Sequence, residues 1–76
     1  MIYKYYVVYS EFHNMGNGIG TMIHERNNKL NSIEKITGLQ DVILKKRLAL
    51  NPNVTQVIIV NFILIDEFEE GEENEI

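Results

Sequence analysis

Apolar and polar residues alternate differently in four successive parts of the chain, and each part predicts its own element. Residues 2–12 are dense in Tyr and Val and read as a strand. Asn17-Gly18 follows inside the stretch EFHNMGNGIG and predicts a type I′ hairpin turn, because both positions tolerate a positive φ. Residues 21–26 return as a second strand, which Asn27-Asn28-Lys29 breaks. Ser32 can cap a first turn over 33–36. Thr37-Gly38-Leu39-Gln40 then matches a capping box and predicts a helix from Gly38 to about Leu50, ended by Asn51-Pro52. Residues 54–65, VTQVIIVNFILI, are apolar at nearly every position, so periodicity cannot name the inner face of this third strand.

The order of these elements predicts an α+β domain of ββαβ type, a three-stranded antiparallel sheet in the order 2-1-3 with one helix on one face. A turn at Asn17-Gly18 would place Phe12 opposite Ile23, Glu11 opposite His24, His13 opposite Met22 and Tyr9 opposite Arg26. The apolar Phe12–Ile23 pair shares a face with Tyr6 and Val8, and this face, joined by Ile58, Val60, Phe62 and Leu64, is the expected helix-covered core. The other face carries Tyr3, Tyr5, Val7, Tyr9, Glu11, His13, His24 and Arg26, with Val57, Ile59, Asn61, Ile63 and Ile65 from the third strand. Such an apolar patch is too large to leave wet on a small monomer, so a partner is expected to cover it, a second copy of the chain first.

Length and composition sharpen that expectation. Seventy-six residues make one domain whose lone core is marginal, and with no cysteine there is neither a disulfide nor a thiolate metal site to support it. Self-association is the remaining support. No signal peptide and no membrane span is visible, which predicts a cytoplasmic protein. The net charge of −4 divides into a body, residues 1–65, with seven basic and four acidic residues, and an acidic tail, residues 66–76, with seven acids. The tail is expected to be disordered, and Glu69, Glu70, Glu72 and Glu73 are its candidate partner-binding residues.

Glu11, His13 and His24 share a face in this register, and carboxylate beside imidazole can do acid-base work. A pocket and an orienting group are missing, so a solvated Glu–His contact is the preferred reading and no cofactor or metal is expected. Gly16, Gly18 and Gly20 precede a strand and not a helix, which excludes a phosphate-binding helix start. The tyrosines suit packing or self-association more than base stacking. Lys45-Lys46-Arg47 suits the end of a helix, and the acidic tail disfavours nucleic acid.

YYVVYS, GNGIG, NSIEKI and VIIVNFILI, within residues 3–65, resemble short proteins encoded by phages and prophages of low-GC Gram-positive bacteria. The resemblance implies the cytoplasm of an infected or lysogenic host, and for some such proteins an anti-defence role, by binding a host defence protein or by sequestering a nucleotide signal. It brings no catalytic residues. The expected function is a non-enzymatic, self-associating binding protein that inhibits or modulates a host protein by contact. The alternative is an oligomeric sponge for a nucleotide-type ligand. Candidate ligand or partner residues are Tyr5, Tyr9, Glu11, His13, Gly18, His24 and Arg26. A hydrolase built on Glu11 and His24 is a third, weaker possibility.

Overall fold

The computed structural model describes residues 1–70. Four elements follow in order: β1 Ile2–His13, β2 Gly16–Arg26, α1 Ile33–Leu50 and β3 Val54–Phe68. The strands form one antiparallel sheet in the order β2-β1-β3 with a single helix, as expected from the pattern. β3 runs to Phe68, three residues into the acidic stretch. Glu72 and Glu73 lie outside the described residues.

The hairpin differs from the expectation. His13 pairs with Gly16, so the turn is Asn14-Met15 and not Asn17-Gly18. Neither turn residue has a positive φ; the residue that does is Gly16, at 149°. Phe12 now faces Asn17 in place of Ile23, a slip of six residues. The reason is ladder length. A turn at 17–18 pairs only the second half of β1, about eight residues, whereas the observed turn pairs eleven, from Tyr3–Arg26 to His13–Gly16, and satisfies correspondingly more backbone donors and acceptors.

The helix is also longer at its start. Ser32 is the N-cap, its hydroxyl accepting from the Lys35 N–H at 3.2 Å, and Thr37-Gly38 lies inside one continuous helix of 18 residues. At the other end the Asn51 N–H donates to the Arg47 carbonyl before Pro52.

The helix covers the face opposite to the expected one. Tyr5, Val7, Tyr9, Val54 and Val57 are buried with Leu30, Leu39 and Ile43, while Tyr6, Ile23, Ile58 and Val60 are exposed. The slipped register removes the argument for the other choice, since Phe12 and Ile23 no longer meet. The observed side also satisfies its polar atoms: the Tyr5 hydroxyl accepts the Leu30 N–H at 2.9 Å, and its ring meets Phe62 edge-on at 5.8 Å. Such an aromatic pair adds about 0.5–1.5 kcal/mol beyond area burial. Leu39 and Ile43, one turn apart, are the two fully inward positions of α1.

β3 reaches its unbroken apolar composition by bulging. Its pairing with β1 shifts three times, skipping Thr55, Val60 and Ile65. Each extra residue changes which positions face the helix. Val57, Ile59, Phe62 and Leu64 therefore lie on the Tyr5–Val7 side, and Gln56, Ile58, Asn61 and Ile63 on the Tyr6–Val8 side. The expected assignment of Asn61 and Ile63 to the first group, and of Phe62 and Leu64 to the second, is reversed for this reason. Two bulges carry their own supports: the Ile59 N–H, beside Val60, donates to Gln40 Oε1 of the helix at 2.9 Å, and Thr55 Oγ1 donates to the Phe12 carbonyl at 3.2 Å.

Candidate functional site

The seven candidate residues share the helix-covered face, but they separate into two groups along it. Glu11 pairs with Gly18 and His24 with Tyr5. Six residues of strand, about 20 Å, therefore lie between the Glu11 and His24 positions. Of the expected Glu11, His13 and His24 group, Glu11 and His13 meet, and His24 stands apart from them on the same face. Tyr5, between the two groups, is buried with its hydroxyl already engaged and acts as packing.

At the hairpin end, Glu11 is the one buried charged residue among those described, 8% exposed. Its Oε1 accepts from Arg47 Nε at 2.5 Å, and its Oε2 faces His13 Nε2 at 2.7 Å and Arg47 Nη2 at 3.5 Å. The local folding explains the arrangement. Glu11 and His13 are two apart on β1 and so point the same way, and the last turn of α1 lowers Arg47 onto them. The Arg47 hydrogen bond holds the Glu11 carboxyl below its usual range; partial burial works against this and the His13 contact adds to it. The carboxylate thus stays ionised with both oxygens occupied, which suits a structural clamp more than proton transfer. Arg47 is the residue that the sequence reading missed as a partner. It lies 36 positions from Glu11, and its place at the helix end explained it locally.

The glycines acquire a different role from a ligand loop. Gly18 and Gly20 belong to β2, opposite Glu11 and Tyr9. The Tyr9 ring lies across Gly20, where a Cβ would stand 2.4 Å from Tyr9 Cζ. A side chain there would force the Tyr9 ring to move. Tyr9, Glu11, Gly18, Gly20 and Arg47 border a shallow depression of about 270 Å³.

At the opposite end, His24 and Arg26 of β2 face the first half of α1 across a cleft of about 280 Å³, with Lys35, Gly38, Leu39 and Val42 on the helix side. Burial lowers the His24 pKa, and the positive charges of Arg26 and Lys46 lower it further. Among the described residues no three His, Asp or Glu side chains gather as metal ligands, and no helix is long and apolar enough to cross a membrane. No protein-family model, curated protein sequence or solved structure matches the chain.

Beyond these groups lies the open face of the sheet. Tyr6 pairs with both Ile23 and Ile63, Val8 lies between Thr21 and Asn61, and Ser10 lies between Ile19 and Ile58. Ile19, Ile23 and Ile63 are each more than half exposed. Charge appears toward one end, where Lys4 bridges to Glu25 at 3.5 Å and stands opposite Asp66.

Proposed function

We propose that the protein is a non-enzymatic binding protein that acts by protein–protein contact, and that its open sheet face is shared first with a second copy of the chain. The observation that carries this reading is the uncovered apolar row Ile19, Ile23, Tyr6, Ile58 and Ile63. A water-facing sheet surface ordinarily alternates apolar-in and polar-out. Here the open surface keeps large apolar residues among Ser10, Thr21 and Asn61, and the helix covers only the other one.

The size of the face supports a dimer. Three strands at about 4.8 Å spacing and about 40 Å of strand length give roughly 600 Å² per chain. Two such faces together remove about 1,200 Å² from water, at the lower edge of stable interfaces. The charge arrangement is compatible with a two-fold: Lys4, Glu25 and Asp66 place both signs at one end of the face, so a copy whose charged end meets the same end sets opposite charges together and the apolar halves against each other. The acidic residues from Asp66 onward supply the charge that would attract a basic partner, a host protein in the reading suggested by the resemblance.

Light scattering on the full chain tests the contact. We expect a mass of twice 8.9 kDa at tens of micromolar. Ile63→Lys, on an exposed position, should return single chains with an unchanged far-UV circular dichroism spectrum. Wild-type protein that stays monomeric at several hundred micromolar would remove the basis of the proposal.

A further inference from the structure

The cleft between β2 and the first half of α1 is built from cations over an apolar floor. His24 and Arg26, two apart on β2, point toward the helix from one side; Lys35 stands on the other. Leu39, which is buried, and Val42, 45% exposed, form the floor with the bare backbone of Gly38. None of the lining residues is acidic. Arg26 Nε donates to the Asn28 amide oxygen at 3.0 Å, and Lys35 Nζ to that of Asn31 at 2.9 Å, so both cations are held by neutral asparagines and not by carboxylates. Elsewhere in the described chain Lys4, Lys29 and Arg47 each have an acidic partner. Lys46 adds positive potential at His24 from the next turns of the helix.

Gly38 gives this cleft its second unusual feature. A glycine inside a helix is unfavourable by about 1 kcal/mol relative to alanine. A Cβ built at Gly38 meets nothing within 4 Å, so no packing constraint requires its absence. What its absence does is deepen the cleft.

We propose that this cleft binds a phosphomonoester carried on a flat apolar body, the chemistry of a nucleoside monophosphate. The phosphate sits between Arg26 and Lys35, where a guanidinium offers paired donors and an ammonium a point charge. The flat body lies between the His24 ring and the Gly38–Leu39–Val42 surface, since imidazole and guanidinium planes both accept stacked rings. The cleft offers about 280 Å³ and is open to solvent, so it encloses such a ligand only in part. The cleft lies on the helix side of the sheet, so this site stands or falls independently of the open-face contact. It also relocates the ligand-binding alternative: Arg26, opposite Tyr3, lies toward the other end of β1 and β2 from Tyr9, His13 and Gly18, which were first grouped with it.

The test is a titration of the isotope-labelled full chain with adenosine monophosphate, adenosine and inorganic phosphate, followed by amide and imidazole NMR at near-physiological salt. With adenosine monophosphate we expect saturable shifts confined to His24, Arg26, Gly38 and Val42, at least tenfold tighter than with either fragment. The His24 titration midpoint should rise in the complex, because a bound anion offsets the neighbouring cations. Gly38→Met should abolish the shifts while leaving the thermal midpoint equal or higher, since methionine is a good helix former and the space is open. Arg26→Gln should weaken binding at least tenfold. Absence of saturable shifts, equal binding by inorganic phosphate alone, or shifts spread over Lys4, Lys29 and Lys45 would overturn the assignment.

Discussion

At the scale of single residues the Glu11–Arg47–His13 contact carries the clearest consequence. Glu11 is buried, ionised and fully engaged, and its folded pKa lies below the unfolded value near 4.5. A lowered carboxyl pKa adds stability that is present above the unfolded value and is lost as pH falls through the folded one. Removing Arg47 removes the largest cause of the lowering. Arg47→Met, which keeps the aliphatic stem, should therefore raise the NMR-measured Glu11 midpoint toward or above 4.5 and flatten the loss of stability between neutral pH and pH 4. His24 acts in the same direction at higher pH. Its folded pKa lies below 6.5, so the unfolded state binds the proton better and stability falls as pH drops through that region. The Arg47 variant should leave this second, near-neutral component in place. An unchanged Glu11 midpoint in Arg47→Met would mean that the guanidinium does not hold the carboxylate in solution.

At the scale of elements, β3 depends on the helix for more than apolar cover. Its bulge at Val60 releases the Ile59 N–H from the β1 ladder, and Gln40 accepts it from α1. Gln40→Met keeps the size of the side chain and leaves that half-buried donor unpaired. The change should destabilise the fold by about 1–2 kcal/mol in urea unfolding. Hydrogen exchange at the Ile59 amide should accelerate more than at Val7, whose surroundings are untouched. Four elements and their order were legible because strands, turn residues and caps are local signals. The register was not, because Asn17-Gly18 is the stronger turn in isolation and loses to eleven-residue pairing, a property of β1 and β2 together. The faces of β3 were not, because three bulges five residues apart convert a period of two into something that resembles none. In the candidate site, Glu11–His13 follows from their spacing on one strand, while Arg47 and Lys35 enter only once the helix is laid across the sheet.

At the scale of the whole molecule, more large apolar side chains lie outside than inside. Among the described residues eight hydrophobics are buried, from Tyr5 to Val57, against fourteen large ones exposed, several of them on the open face. A domain of this size with so thin a core holds little stability of its own. If a second copy covers the Tyr6–Ile23–Ile63 surface, folding and association become one equilibrium, and the thermal midpoint must rise with protein concentration. A tenfold increase in concentration adds about 1.4 kcal/mol to the dimer. For a unit of two such chains that corresponds to roughly 3–6 °C in the midpoint. Calorimetry at about 10 and 100 micromolar should resolve a shift of this size. Ile63→Lys, which sets a charge into the middle of the face, should lower the midpoint and make it the same at both concentrations. The helix side serves as the internal control: Ile43→Ala removes a side chain that is 2% exposed, and should lower the midpoint by the loss of about 2–5 kcal/mol while keeping the concentration dependence. A wild-type midpoint independent of concentration would place the open face in water in the working protein, and association through it would have to be abandoned.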